Sequence, residues 1–294
     1  LDIVAVNIDI DNGSFGDIRI VELAAGGDLI VDRAVVTNPG GVQDGDINIL
    51  TQDGSLTING VVTTAFNGTI TLTATDVAVV DDVNINAAVT SVDGDVTVTA
   101  TADDVIFGAA GSITTTTGDV TLNANGAVGA GSITMADGSS INAGSATIDL
   151  NAESNITISL LTTTSTSNTA VTIDSLTGGL VDADAANGLD VDAADGRLEV
   201  NTITGIGTAE DIETTVASID LFNNTSGNIS IDETDDLTII LVQQDEDDSI
   251  SVLAGGSITI DSSGTGVFID DDGVGGGNGT ILVRAEAGNL TVDQ

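Results

Sequence analysis

The chain has 294 residues, with 46 acidic residues against 4 basic ones and a formal net charge of -42. It contains no His, Cys, Trp or Tyr, which excludes imidazole and thiol catalysis, zinc sites built from His and Cys, and disulfide frameworks. Four arginines cannot form a basic patch for nucleic acid, and no apolar run is long enough to span a membrane, whereas the 41% of hydrophobic residues suffices for a folded core.

The sequence repeats a short unit made of a glycine, a small or acidic residue, and then apolar and polar residues in alternation. Gly94-Asp95-Val96-Thr97-Val98 is typical of it, because β-branched side chains with period two favour a short strand with one apolar face. In chain order the units occupy residues 16–20, 27–31, 45–49, 54–58, 68–72, 94–98, 111–114, 118–122, 131–135, 227–231, 256–260, 279–283 and 288–292. Helical spacing is nearly absent, so the pattern predicts an all-β chain.

Equivalent strand signals return after about 21 to 27 residues, a period that is typical of repeat architectures. This repetition predicts a parallel β-helix, that is, a β-solenoid in which each coil buries its apolar face against the next coil. At about 23 residues per coil, the chain would form roughly 13 coils. An antiparallel β-sandwich array is the alternative, since short strands separated by turns also fit it. The 2% of aromatic residues favours the solenoid, whose narrow layers stack aliphatic side chains.

The composition changes only mildly along the chain, and no internal boundary is evident. We therefore expect residues 1–294 to form a single continuous β-solenoid segment. The least regular stretch is 176–215, where the alternation weakens and aspartates crowd together, and we interpret it as an insertion or a looser set of coils. The aspartates in this stretch include Asp182, Asp184, Asp190, Asp192 and Asp195.

The repeats resemble those of large bacterial exoproteins. The run 111–124, which joins two of the repeated units through four threonines, is similar to the repeat regions of filamentous haemagglutinin-like adhesins and autotransporter passenger domains. This resemblance implies a right-handed parallel β-helix on the outside of a bacterial cell, and therefore an extracellular or cell-surface location. It is a resemblance of repeat style over nearly the whole chain, and it carries no catalytic or ligand residues to this sequence.

Runs of acidic residues are the candidate metal ligands. Calcium takes about six to eight oxygen ligands, which facing carboxylates on adjacent coils can supply. The predicted calcium ligands are Asp245, Asp247, Asp248, Asp270, Asp271 and Asp272. Shorter acidic pairs occur at 81–82, 103–104 and 235–236. None of these runs matches the EF-hand or nonapeptide calcium patterns, and the competing interpretation is that the carboxylates are solvated on turns. No cofactor is required, and calcium is the one that these runs suggest.

The composition argues against an enzyme. A glycosidase needs two positioned carboxylates, but in so acidic a chain some pair satisfies any spacing, so the pattern carries no information. A lyase that acts on acidic sugars needs cationic groups near its substrate, and the four arginines, Arg19, Arg33, Arg197 and Arg284, are scattered singly. The sequence therefore predicts a non-catalytic structural or adhesive rod outside the cell. The alternative is a calcium-binding or polysaccharide-modifying β-helix protein.

Both ends of the sequence, residues 1–10 and 288–292, carry a strand pattern without a cap. An open terminal coil exposes unpaired backbone groups and apolar side chains. We therefore expect two kinds of partner for the ends: flanking coils of a longer, giant cell-surface protein, or copies of the chain stacked head-to-tail into a filament. Cell-surface glycans are a further expected partner, whereas nucleic acid and membrane insertion are not expected.

Overall fold

A computed structural model of the protein describes residues 1–3, 6–13, 16–23, 27–37, 45–75, 81–126, 131–184, 188–246, 248–261, 266–270 and 279–293. The chain divides into an N-terminal unit, Leu1–Glu153, and a C-terminal unit, Ser154–Gln294. The expectation of one continuous segment over residues 1–294 stays a prediction. Within the described ranges every regular element is a β-strand and no helix occurs.

The N-terminal unit contains seventeen short strands, most of them three to five residues long. They are β1 (Asp2–Ile3), β2 (Asn7–Asn12), β3 (Ile18–Glu22), β4 (Leu29–Val36), β5 (Ile47–Thr51), β6 (Leu56–Ile58), β7 (Val62–Thr64), β8 (Ile70–Ala74), β9 (Val83–Ile85), β10 (Ala88–Ser91), β11 (Val96–Ala100), β12 (Val105–Phe107), β13 (Ser112–Thr114), β14 (Val120–Ala124), β15 (Ile133–Met135), β16 (Ser140–Asn142) and β17 (Ile148–Ala152).

The C-terminal unit contains thirteen strands, three of which are nine or twelve residues long. They are β18 (Ile156–Ile158), β19 (Leu160–Thr162), β20 (Val171–Ser175), β21 (Leu180–Asp182), β22 (Val191–Thr202), β23 (Ile212–Asn223), β24 (Ile229–Glu233), β25 (Leu237–Asp245), β26 (Ile250–Ala254), β27 (Ile258–Ile260), β28 (Gly266–Asp270), β29 (Ile281–Ala285) and β30 (Leu290–Val292).

The strands of successive turns pair in parallel. In the N-terminal unit one column runs through β3, β5, β8, β11 and β14, with Ile47, Ile70, Val96 and Val120 in register. Two further columns run through β6, β9, β12 and β15 and through β7, β10, β13 and β16. The described strands of both units pair in parallel, so the predicted parallel β-solenoid is confirmed and the antiparallel sandwich alternative is wrong.

The described residues form about 10 turns of about 24 residues, whereas the sequence predicts roughly 13 coils for the whole chain. The turns also differ in length. The hydrogen bond between Asp46 and Thr69 joins residues 23 apart, whereas the bond between Asp17 and Asp46 spans 29 and the bond between Asp119 and Thr147 spans 28. Across these two longer turns β3 stays in register with β5, and β14 stays in register with β17.

The interior is formed by the apolar members of the alternating pattern. In β11, Val96 and Val98 are fully buried, while the intervening Thr97 is half-buried on the outer face. Full burial of each aliphatic side chain contributes about 1.5–3 kcal/mol, and equivalent side chains stack on one another because the strands are in register. The predicted inward and outward faces are therefore confirmed for this unit.

The aspartates that precede strands connect consecutive turns. Asp95 Oδ1 accepts a hydrogen bond from Asp119 N at 2.9 Å, and Asp119 Oδ1 accepts bonds from both Thr147 N at 2.9 Å and Thr147 Oγ1 at 2.8 Å. The same type of acceptor recurs at Asp17, Asp28, Asp46, Asp82, Asp104, Asn155, Asn228 and Asp236. These side chains satisfy backbone N–H groups that lie just outside the strand ladders. Part of the high acidic content is thus structural, which the interpretation as solvated turn carboxylates misses.

The acidic stretch 176–215 is built from strands with an irregular register. It contains β21, β22 and the start of β23, and the pairing of β22 with β23 shifts between Ala193 and Arg197. Ile206 forms isolated parallel bridges to Leu180 in β21 and to Ile229 in β24, so parallel pairing between successive turns continues through this stretch. Asp190 lies immediately before β22, ahead of this shift, and belongs to the candidate site described next.

Candidate cation-binding clusters

Three of the six predicted calcium ligands, Asp247, Asp271 and Asp272, lie outside the described residues. Of the others, Asp245 and Asp270 are aligned in the parallel pairing of β25 with β28. Asp245 Oδ1 accepts a bond from Gln243 Nε2 at 2.8 Å. Asp248 Oδ2 accepts a bond from Gly227 N at 2.6 Å, so this carboxylate has a structural role. A calcium site at these six residues stays a prediction.

Within the described part of the chain, groups of three acidic side chains with ligand atoms within 4.8 Å of one another occur at two other places. The Asp104 cluster, in the N-terminal unit, consists of Asp82, Asp103 and Asp104. The Asp190 cluster, in the C-terminal unit, consists of Asp182, Asp190 and Glu213. Each cluster lies entirely within one unit.

The Asp104 cluster lies where two successive turns enter β9 and β12. Asp82 Oδ1 accepts a bond from Asp104 N at 3.3 Å, and Asp104 Oδ1 accepts a bond from Ser132 N at 2.7 Å. All three side chains are half-buried. Two of the three carboxylates are therefore members of the series of acceptors that connects consecutive turns.

The carboxylates of the Asp104 cluster repel one another. Burial, followed by the charges of Asp104 and Asp82, raises the pKa of Asp103 from 3.8 to about 6. Burial also raises the pKa of Asp82, partly offset by the backbone bond from Asp104. The cluster thus favours either a proton or a nearby cation, but its partial exposure lets water and salt screen much of the repulsion.

The Asp190 cluster is more deeply buried. Asp190 is 1% exposed. Its Oδ2 accepts a bond from Glu213 N at 3.1 Å, and its own N–H donates to Glu213 O at 2.9 Å, so parallel pairing between turns brings the two residues together. Asp182 ends the neighbouring strand β21, and its Oδ1 accepts a bond from Asp184 N at 2.8 Å.

Two oxygens of this cluster, Asp182 Oδ2 and Glu213 Oε2, are fully buried and have no hydrogen-bond partner. Burial is the largest cause that raises the pKa of each of the three carboxyls. For Asp190 the pKa rises to about 9, with the negative charges of Asp182 and Glu213 as further causes. The ionised cluster therefore lacks a positive partner, which either protons or a cation can supply.

The arginine nearest in sequence does not supply that charge. Arg197 pairs with Glu199 at 3.1 Å and with Asp220 at 3.4 Å, and its Nε donates to Asn168 O. None of the ion pairs among the described residues includes a member of the Asp190 cluster.

Sequence reasoning found parts of both clusters. It marked the acidic pairs at 81–82 and 103–104 and expected carboxylates to face each other on adjacent coils, which the contact of Asp82 with Asp104 confirms. It also marked Asp182 and Asp190 as a crowded region but missed Glu213. Glu213 could have been found from its sequence separation of 23 residues from Asp190, because this separation is close to the length of one turn.

The C-terminal unit has a surface recess of about 390 Å³. Its lining includes Asp235, Asp236, Thr238 and Thr259. Asp236 Oδ1 accepts a bond from Ser257 N at 2.6 Å, so this carboxylate holds backbone and is not poised for acid–base work. The recess gives no specific support to hydrolysis of a polysaccharide.

The described residues include no helix long and apolar enough to cross a membrane. No protein-family model matches the chain, and the comparisons with curated proteins and with solved structures gave no match either.

Proposed function

We propose that the chain is a non-catalytic, extracellular structural or adhesive β-solenoid segment whose C-terminal edge is covered by a further parallel coil. That coil belongs either to a longer cell-surface protein or to a second copy of the chain stacked head-to-tail. The observation that carries the proposal is the change in exposure between the last two turns of the C-terminal unit.

Residues in the same register differ sharply across these two turns. Ile250 in β26 is 1% exposed, whereas its partner Ile281 in β29 is 49% exposed. Ile258 in β27 is fully buried, whereas its partner Leu290 in β30 is 51% exposed. All four side chains are aliphatic, so their exposure depends on what covers them: the next turn covers Ile250 and Ile258, whereas no described residue covers Ile281 and Leu290 in the same way.

The backbone groups of β29 and β30 can also pair with a further parallel coil. Among the described strands, β29 pairs with β26 and β30 pairs with β27, each on one side. An open strand edge presents unpaired N–H and C=O groups that a parallel strand can pair with. A further solenoid coil satisfies the backbone and covers Ile281 and Leu290 at once, which a flat or irregular partner surface does not.

The extracellular and adhesive parts of the proposal rest on other grounds. The repeat style resembles that of bacterial adhesins, and the strongly acidic, cysteine-free composition suits a hydrated exterior. Glycans of a cell surface stay a predicted partner on the strength of that resemblance.

The test is the association state of the isolated chain, measured by light scattering and electron microscopy over a range of concentration and salt. We expect end-to-end association that increases with salt, because salt screens the repulsion between chains that each carry a net charge of -42. Ile281→Asp and Leu290→Asp should abolish it by placing a charge on the edge.

The matched control is Leu176→Asp, because Leu176 is 66% exposed in the same unit but does not lie on β29 or β30. This variant should associate like the wild type. A wild-type chain that stays monomeric at all concentrations while β30 is ordered, or edge variants that associate normally, would contradict head-to-tail stacking.

A further inference from the structure

The Asp190 cluster carries an inference that is independent of the proposed function. It contains three carboxylates, and two of their buried oxygens have no hydrogen-bond partner. None of the ion pairs among the described residues brings an arginine to this cluster. A buried anionic group of this kind is costly unless it gains a counter-charge.

We propose that Asp182, Asp190 and Glu213 form a binding site for one divalent cation, and specifically for calcium. The three residues come from β21, from the residue before β22, and from β23, so consecutive turns of the solenoid bring them together. The site belongs to the C-terminal unit alone.

The separations fit one coordination sphere. Calcium lies about 2.3–2.6 Å from its oxygen ligands, so two ligands on opposite sides of the ion are about 5 Å apart. The three ligand atoms of the cluster lie within 4.8 Å of one another. All three can therefore contact one ion without a change in the backbone register.

The unpartnered oxygens are the second observation. Turn carboxylates elsewhere in the chain accept backbone N–H bonds, as Asp119 does from Thr147. Asp182 Oδ2 and Glu213 Oε2 are buried, unlike the exposed carboxylate of Asp119, yet no N–H or hydroxyl group donates to them. The side chain of Asp190, which lies beside both residues, can donate only when it is protonated. Oxygens that are shielded from solvent and lack a donor are what an oxygen-preferring cation requires.

The donor set selects calcium over other metals. The chain has no His or Cys, so zinc and copper lack their usual ligands. Magnesium demands a tight, near-ideal octahedron at short distances, which three carboxylates held on separate elements of the fold meet poorly. Calcium accepts carboxylates in one- or two-oxygen contact and tolerates irregular geometry, which suits three carboxylates from different elements of the solenoid.

The Asp104 cluster does not share this inference. Asp82 and Asp104 each use an oxygen to accept a backbone N–H, and no oxygen of that cluster is among the buried oxygens without a partner. It therefore provides an internal comparison: an acidic group of the same size that should bind calcium weakly.

The experiment is calorimetric titration of the full chain, after treatment with a chelator, with CaCl₂, MgCl₂ and NaCl at matched ionic strength, together with thermal unfolding. We expect saturable calcium binding and a rise in melting temperature beyond that in NaCl, with a smaller effect of magnesium. Asp190→Asn and Glu213→Gln should weaken calcium binding by about tenfold or more, because each removes a ligand charge.

Two controls separate this site from general screening. Asp192→Asn removes the same charge from the outer face of β22, two positions away, and should leave calcium binding unchanged. Asp103→Asn changes the Asp104 cluster and should also leave it unchanged. An equal effect of calcium and NaCl, or full calcium binding by both Asp190→Asn and Glu213→Gln, would overturn the proposal.

If a variant does not fold, the site can still be tested directly on the wild-type chain. Crystals soaked in calcium or in a lanthanide should show an ion between the three carboxylates of the cluster. An ordered cluster without an ion at saturating calcium would overturn the proposal.

Discussion

The two units fill the interior of the same fold in different ways. In the central turns of the N-terminal unit, the strands that carry the core end at Ala74, Ala100 and Ala124, which are in register and fully buried. In the C-terminal unit, the strand positions Thr202, Asn223 and Gln244 are in register and buried, and all of them are polar.

The polar column is held by specific hydrogen bonds. Asn223 Oδ1 accepts bonds from Thr202 Oγ1 at 3.1 Å and from Gly205 N at 2.8 Å. Its Nδ2 donates to Gln244 Oε1 at 2.6 Å and to the carbonyls of Ser226 and Gly227 at 2.9 Å. An aliphatic stack is non-directional, whereas this column is stable only when each group keeps its partner.

The comparison teaches that parallel register, rather than interior polarity, defines this fold. The column in the N-terminal unit repeats alanine, and the column in the C-terminal unit repeats side-chain hydrogen bonds between neighbouring turns. Both repeat because the register places equivalent positions on top of one another. The two interiors should therefore respond differently to substitution and to pH, and three predictions follow that difference from the largest expected effect to the smallest.

Asn223→Leu should have the largest effect. It removes the bonding partners of Thr202, Gly205 and Gln244 in a buried place, and we expect the free energy of unfolding to fall by about 4 kcal/mol. Urea unfolding followed by far-ultraviolet circular dichroism measures it. The control is Asn224→Leu at the adjacent exposed position, which should be nearly neutral. A loss below about 1 kcal/mol would show that the polar column is not required.

Leu72→Ala tests the aliphatic interior of the N-terminal unit. Leu72 is fully buried between Ile49 and Val98 in the register, so the substitution leaves a cavity and should cost about 3 kcal/mol. Thr71→Ala, on the outer face of the same strand, should cost less than about 1 kcal/mol. If both substitutions had similar effects in urea unfolding, the assignment of inner and outer faces would be wrong.

Glu233→Gln should change the pH dependence of stability. Burial raises the pKa of Glu233 from 4.5 to about 7, although bonds from Thr214, Asp235 and Val216 oppose the shift. Because the folded-state pKa lies above the unfolded one, the stabilisation is complete below pH 4.5 and is lost as the pH rises through about 7. The loss should be roughly 1–3 kcal/mol, and Glu233→Gln should remove it.

The measurement for Glu233 is a series of urea unfolding curves from acidic to neutral pH in the presence of a chelator. Glu210→Gln, at an exposed position, is the matched control and should leave the slope unchanged. A Glu233→Gln variant with the slope of the wild type would mean that another group is responsible for the pH dependence.

Sequence by itself determined the strands and their faces. Val96, Thr97 and Val98 alternate with period two, and a strand with that period has one apolar face whatever its partners are. The recurrence of this unit at solenoid periods, with few aromatic residues, also predicted parallel stacking. These features are local or periodic, so they can be read without knowing which residues are in contact.

Only the tertiary structure decided the contacts between turns. The sequence shows Asp95 in a turn, but whether its carboxylate is solvated or accepts a bond from Asp119 N depends on the register 24 residues away. The same holds for Glu213, whose contact with Asp190 depends on the register 23 residues away. Loop lengths vary at little cost in free energy, so the sequence constrains them weakly, while the register that they leave intact decides which carboxylates meet.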